Sequence, residues 1–186
     1  MCITIILLLI ISTFATIFPV KAVSTLTIAG NIQYKAGTDS NGADIFADAK
    51  YIKVEVYEVQ GNGLSQYKLA ENYTDGSGDF LVNRDISGNP ILNEDAALGE
   101  SGTRDIRIKY YAENEAARVS NNWLSGYIVG DTYWGQTPVD LDVTGPVWTI
   151  NVGVTSSNCE SLGIPGIIKE DRDWLASVTG GWSRSQ

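Results

Sequence analysis

The chain has no histidine, a single methionine and two cysteines among its 186 residues. Without histidine it cannot form, within itself, a Ser-His-Asp triad, a Cys-His dyad or a His-ligated zinc site. Basic residues are also scarce, because 13 Lys and Arg stand against 22 Asp and Glu, a formal net charge of -9. Since the phosphates of nucleic acid need a basic surface, this balance argues against a nucleic-acid partner.

Catalytic motifs are absent as well. The sequence contains no Gly-x-Ser-x-Gly elbow, no Gly-rich phosphate loop with Lys and no His-Glu-x-x-His helix. Its hydrophobic share of 44% and charged share of 19% are typical of a globular protein and not of a disordered chain. We therefore expect a folded protein of about one domain that has no catalytic activity.

The first 22 residues resemble a targeting segment. Residues 3–18 are almost entirely apolar, and Val20-Lys21-Ala22 ends in the Val-x-Ala pattern that suits signal peptidase. We interpret residues 1–22 as a signal peptide cleaved after Ala22. The alternative is an uncleaved N-terminal anchor, because residues 3–20 reach the short end of the ~17–25 residues that span a bilayer. Both interpretations place the remainder outside the cytoplasm, secreted or at the cell surface, and only this segment would contact a membrane.

Cysteine usage fits this location only weakly. Cys2 lies inside the targeting segment, so Cys159 has no partner within the mature chain. An unpaired extracellular cysteine either pairs with another chain or is a shielded free thiol.

Hydrophobic side chains alternate with polar ones through most of residues 23–160. Successive side chains of a strand point to opposite faces, so this alternation indicates strands with one dry face, as in antiparallel sheets. Clear runs lie at 26–34, 52–57, 106–113 and 148–154, and weaker ones at 66–73, 80–83, 117–120 and 125–129. The sequence therefore predicts an all-β protein, an antiparallel β-sandwich of about 7–8 strands.

The C-terminal part, residues 161–186, changes character. Pro165 is suited to the first turn of a helix, and apolar residues such as Ile167, Ile168 and Trp174 recur at helical spacing. We predict a short amphipathic helix of roughly 10–13 residues that ends at Gly180. It either caps the sandwich or begins a region that is missing from this chain.

One stretch resembles a known family. The strand Ile52-Lys-Val-Glu-Val-Tyr-Glu58 is followed by Tyr73-Thr-Asp-Gly-Ser-Gly-Asp-Phe80, and Gly30-Asn-Ile-Gln-Tyr34 precedes both. This order resembles the carboxypeptidase-regulatory-like, transthyretin-like β-sandwich modules, over about residues 26–83. The resemblance implies an accessory part of a secreted or surface protein, often beside a peptidase domain. Locally, Asp75 would cap a tight turn and Gly78 would take its positive-φ position.

Two acidic turns are candidates for calcium binding. Oxygen donors recur closely at Asp39, Asn41 and Asp44, and again at Asp75 and Asp79. Ca²⁺ takes six to eight oxygen ligands, which short loops supply from carboxylates and carbonyls. Capping of the turns by the same side chains is the alternative explanation.

A cluster of aromatic residues is the candidate ligand-binding surface. It consists of Trp123, Tyr127, Tyr133 and Trp134, of which the last two are predicted to lie in a Gly-containing loop. Rings with a polar group suit partly exposed surfaces that bind carbohydrate, whereas core packing is the alternative. One sequon, at Asn72, is a candidate glycosylation site.

These observations favour a non-catalytic extracellular module with a structural, adhesive or spacer role. Its partners would be a cell-envelope or extracellular protein or polysaccharide, and Ca²⁺ is the one candidate cofactor. Two alternatives stay open: a carbohydrate-binding module, and the accessory front domain of a secreted peptidase whose catalytic part lies elsewhere.

Overall fold

The computed structural model describes residues 24–60, 65–94, 102–119, 132, 134–140, 142–156 and 159–179. Within them it is an all-β, sandwich-like fold of two sheets with one C-terminal helix. The strands are β1 (Thr27–Thr38), β2 (Asp44–Asp48), β3 (Lys53–Val59), β4 (Gln66–Tyr73), β5 (Asp79–Val82), β6 (Ile106–Tyr111), β7 (Trp134–Gln136) and β8 (Val147–Val154). A 3₁₀ turn (Cys159–Leu162) then leads into α1 (Ile164–Thr179). The predicted fold class is confirmed.

The first sheet is organised around the long strand β1. Strand β8 runs parallel to β1 along residues 27–34, whereas β5 and β2 pair with it antiparallel at residues 28–31 and 33–38. Because β8 occupies one edge of β1, β5 and β2 share the other edge in succession. The alternating pattern of 148–154 predicted a strand but not its parallel pairing.

The second sheet has the order β4-β3-β6-β7, and all its pairs are antiparallel. The inner faces of the two sheets meet in one apolar core. Fully buried side chains there include Ile28 and Ile32 of β1, Val54 of β3 and Ile108 of β6. These are residues that alternation assigned to the dry faces.

Several predicted elements differ in the structure. No strand forms at 117–119, where Arg118 makes only an isolated bridge with Glu113; residues 120 and 125–129 lie outside the described residues. Strand β2 escaped prediction because none of its residues is fully buried, which leaves no alternation to detect. Strand β7 was missed because its three residues are too few to show an alternating pattern. Trp134 lies in this strand, so the prediction of a loop there was wrong.

Three turns share one local structure. Each begins with an aspartate and has glycine at the fourth position: 39–43, 75–79 and 85–89. In each, one carboxylate oxygen of the aspartate accepts hydrogen bonds from the backbone N–H groups two and four residues later. The glycines Gly42, Gly78 and Gly88 have φ of 85°, 75° and 83°. The roles predicted for Asp75 and Gly78 are therefore confirmed, and the same chemistry recurs twice.

Gly78 differs from the other two glycines in its surroundings. A Cβ added at Gly78 would lie 2.7 Å from Ile32 O and 3.2 Å from Asp48 Cβ, whereas Gly42 and Gly88 have nothing within 4 Å. Strand β1 cannot easily move away from the added Cβ, because Ile32 O also accepts the N–H of Ala49 at 2.9 Å.

We therefore expect Gly78→Ala to destabilise the fold by about 3 kcal/mol, from the left-handed backbone plus overpacking. The matched changes Gly42→Ala and Gly88→Ala share only the backbone term and should cost about 1 kcal/mol each. Urea unfolding of the three variants measures these differences. Equal losses of unfolding free energy at all three positions would show that the contact with β1 adds no cost at Gly78.

The helix is longer than predicted, with 16 residues, and it meets the sandwich with its charged side. Lys50 Nζ lies 3.1 Å from Glu170, and Lys169 and Arg172 both pair with Glu115. Its apolar side chains are exposed, with Trp174 at 64% and Ile167, Leu175 and Val178 above half. The helix is thus amphipathic as predicted, but its apolar side does not cap the core.

Cys159 is buried and unpaired, and its Sγ lies 3.3 Å from the carbonyl oxygen of Lys35. Its burial agrees with the expectation of a shielded thiol, and pairing with another chain stays a prediction. In the part of the chain that the structure describes, no helix has the length and apolar character needed to cross a membrane.

Candidate ligand-binding surface

The outer face of the second sheet brings charged and aromatic side chains together. Alternation along β3 and β6 places on this face the residues Lys53, Glu55, Tyr57, Arg107, Lys109 and Tyr111. The antiparallel register sets Glu55 opposite Lys109 and Lys53 opposite Tyr111. Edge strand β7 then adds Trp134 opposite Tyr111.

Part of this face forms a pocket of about 310 Å³, which we call the outer-face pocket. It is lined by Lys53, Glu55, Lys109, Tyr111, Glu113, Arg118, Thr132 and Trp134. Three of these side chains are cationic and two are carboxylates, whereas the chain as a whole carries a charge of -9.

Glu55 is the centre of the hydrogen-bond network in the floor of the pocket. Only 6% of it is exposed, and its carboxylate accepts hydrogen bonds from Lys68 Nζ at 2.8 Å and from the hydroxyls of Tyr57 and Tyr111 at 2.9 Å each. Lys53 Nζ lies 3.2 Å from the same group. Four donors thus hold one buried carboxylate in place.

The ionisation of this network follows from those bonds. Burial alone would raise the pKa of Glu55, but the donors Lys68, Tyr111, Tyr57 and Lys53 outweigh it and lower that pKa to about 2. Burial and the carboxylate together raise the pKa values of Tyr57 and Tyr111. Glu55 is therefore ionised and both tyrosines are neutral across the physiological range, which suits a fixed scaffold better than a proton-transfer pair.

The rim opposite β4 carries a second group of polar side chains. Thr132 Oγ1 donates to Glu113 at 3.1 Å, and Arg118 Nε donates to the same Thr132 oxygen. Arg118 Nε also lies 3.6 Å from Glu113, and Lys53 Nζ lies 3.8 Å from that carboxylate. Arg118 keeps half of its side chain exposed and so presents a donor to solvent.

The aromatic wall of the pocket is formed around Trp134. The residue is 46% exposed, and the centroid of its ring lies 6.5 Å from that of Tyr111. Lys109 Nζ sits 4.2 Å from the ring centroid of Tyr57 and 5.8 Å from that of Trp134, within the range of cation–π attraction. The result is a half-exposed indole beside a cation and a phenol.

Only one of the four aromatic candidates can be placed. Trp134 lies at the pocket, as the hypothesis of a ligand surface requires, whereas Trp123, Tyr127 and Tyr133 lie outside the described residues.

Two of the calcium candidates, Asp39 and Asp75, cap their own turns. The Oδ1 atom of Asp39 accepts the N–H groups of Asn41 and Ala43 at 2.8 Å, and these bonds lower the pKa of Asp39. Asp44 pairs with Lys35 at 2.5 Å. Asp75 caps its own turn, and Asp79 accepts a hydrogen bond from Asn31 Nδ2 at 2.8 Å. Among the described residues, no three His, Cys, Asp or Glu side chains are grouped to hold a metal ion, and calcium binding stays a prediction.

Asn72 lies exposed on β4, and its Nδ2 donates to Leu81 O at 2.7 Å. Glycosylation at this sequon stays a prediction. A sugar attached to Nδ2 would have to be compatible with this hydrogen bond to β5.

Sequence reasoning missed Glu55, Tyr57, Lys109 and Tyr111 as site residues. Their signal was present, because each occupies the polar face of an alternating strand. The polar face of a strand usually does no more than contact solvent. Only the register between β3 and β6 shows that these four side chains lie close together.

Comparisons with known proteins give little further information. No protein-family model and no curated protein sequence matches the chain. A solved structure that it resembles is a 9R-lipoxygenase from Cyanothece PCC8801, with 15% identity and a TM-score of 0.41. The match covers 75% of this chain and 17% of that protein. A likeness at this level says nothing about what the chain binds.

Proposed function

We propose that this protein is a non-catalytic carbohydrate-binding module of the cell exterior, with an adhesive role. The observation that carries the proposal is the half-exposed ring of Trp134 at the edge of a pocket lined by hydrogen-bonding side chains. Sugars present an apolar ring face and a girdle of hydroxyls, and this surface offers an aromatic face and polar groups side by side. The secreted location and the transthyretin-like relationship are parts of the same proposal.

The rigidity of the polar groups supports a binding role. The Glu55 carboxylate already has four donors, and Glu113 is held by Thr132 and two cations. Side chains fixed by such bonds lose little conformational entropy when a ligand arrives.

The test is calorimetric titration of the purified protein with a panel of neutral and acidic oligosaccharides. For a sugar that binds, we expect Trp134→Ala to weaken affinity by about tenfold or more, because burying an aromatic ring contributes about 1.5–3 kcal/mol. The matched control is Trp174→Ala, which removes an exposed tryptophan from α1 and should leave affinity unchanged.

Two results would refute the proposal. One is the absence of binding to every saccharide by the folded protein, and the other is equal affinity of wild type and Trp134→Ala. Thermal unfolding of both variants checks that each keeps its fold.

A further inference from the structure

The charges that line the outer-face pocket do not cancel. Lys53 is within 4 Å of both Glu55 and Glu113, and Arg118 pairs with Glu113. These two cations and two carboxylates neutralise one another. Lys109 is left over, so the described side chains that line the pocket carry one net positive charge inside an acidic protein.

Lys109 is held by aromatic rings and by no carboxylate of the described residues. Its Nζ lies over Tyr57 at 4.2 Å and near Trp134 at 5.8 Å. Burial and the positive charge of Arg107 lower the pKa of Lys109, and they outweigh the attraction of Glu55, which lies opposite it on β3. The neighbouring Arg107 also has a buried Nε without a hydrogen-bond partner. Two cations therefore lie side by side on β6, and neither has an ion-pair partner within 4 Å among the residues that the structure describes.

An anion delivered by the ligand would supply this compensation. We propose that the saccharide bound at the outer-face pocket is acidic, a uronate whose carboxylate pairs with Lys109 while its ring stacks on Trp134. This inference rests on the proposed carbohydrate-binding function and specifies its ligand class. Both contacts are within reach of one sugar residue, since 5.8 Å separates Lys109 Nζ from the centroid of the Trp134 ring.

The geometry favours a carboxylate on the sugar over hydroxyls alone. Hydroxyls would satisfy donors and acceptors but leave Lys109 without an ion-pair partner within 4 Å among the described residues. A hydrogen bond between charged groups is about twice as strong as a neutral one and is strengthened by the partial burial of the site.

The experiment compares each acid with its own neutral ester. Oligomers of galacturonate, glucuronate and mannuronate, each paired with its methyl ester, are titrated into wild type, Lys109→Met, Lys109→Arg and Lys35→Met. Ester and acid share the sugar ring and differ in the charge. Lys35 lies on β1 in the other sheet, so its variant controls for loss of a cation elsewhere.

We expect wild type to bind one acid about tenfold more tightly than its ester, since a hydrogen bond to a charged group is of that order. Lys109→Met should bind both alike with the affinity of the ester, Lys109→Arg should keep a preference for the acid, and Lys35→Met should match wild type. Ester binding as tight as acid binding in wild type, or a preference that survives in Lys109→Met, overturns the inference and leaves the proposed function standing. Failure of every acid and ester to bind the folded protein overturns the inference, and the proposed function falls with it when the neutral saccharides of the panel fail as well.

Discussion

Replacement of Gly30 by alanine is expected to cost about 3 kcal/mol of folding free energy, at the top of the range for overpacking. Gly30 is the point where three strands converge, because β1 pairs there with Phe80 of β5 and Ile150 of β8. A Cβ at this position would lie 2.3 Å from Ile150 O and 2.7 Å from the ring of Phe80. The backbone oxygen cannot rotate away as a side chain would, so β8 itself would have to shift.

Gly37 provides the matched control on the same strand. Its added Cβ would meet nothing within 4 Å, and like Gly30 it lacks a positive φ. Gly37→Ala should therefore change stability by no more than about 0.5 kcal/mol, as surface substitutions usually do. Chemical unfolding of both variants gives the comparison. A small loss for Gly30→Ala would mean that β8 packs against β1 less closely than the structure shows.

Loss of the cation at Arg104 is the second large effect. Its Nη1 pairs with the carboxylate of Glu58, whose side chain is completely buried, while its Nε donates to Leu92 O. The other carboxylate oxygen, Glu58 Oε1, has no partner. Burial lowers the pKa of Arg104, yet a guanidinium stays charged at neutral pH. We expect Arg104→Met to destabilise the fold by about 3–5 kcal/mol, because it leaves a buried carboxylate without a counter-charge.

The double variant Glu58→Leu with Arg104→Met separates the value of the pair from the penalty of breaking it. A buried ion pair replaced by apolar groups of similar volume is often neutral or stabilising. We expect the double variant to unfold within about 1 kcal/mol of wild type, so that it recovers most of the loss in Arg104→Met. Additive losses in the double-mutant cycle would contradict this account and indicate that the two side chains act independently.

Features that depend on residues close in the chain were predicted from the sequence, and features that depend on distant partners were not. Alternation identified the inner residues of β1, β3 and β6, and the turn from Asp75 to Asp79 was predicted down to the cap and the left-handed glycine. Both depend on interactions between residues close in the chain. By contrast, β2 was missed because no face of it is fully buried, and β7 because it has only three residues.

The residues of the candidate site also divide into one that the sequence indicated and others that only the structure brings together. Trp134 stood out in the sequence as an aromatic residue beside glycine, yet its strand and its neighbours did not. Glu55 and Lys109 each looked like an ordinary residue on a solvated strand face. They become one site because β3 and β6 pair in a register that sets them opposite each other.

The sequence by itself determined which residues of β1, β3 and β6 face the core and where the turn from Asp75 to Asp79 lies. Side-chain alternation and aspartate caps act over a few residues and need no knowledge of distant partners. The tertiary structure decided the parallel pairing of β8, the outward direction of the apolar side of α1 and the meeting of Glu55, Lys109 and Trp134. Those features depend on which strands become neighbours and in what register, and that is set by packing of the whole core.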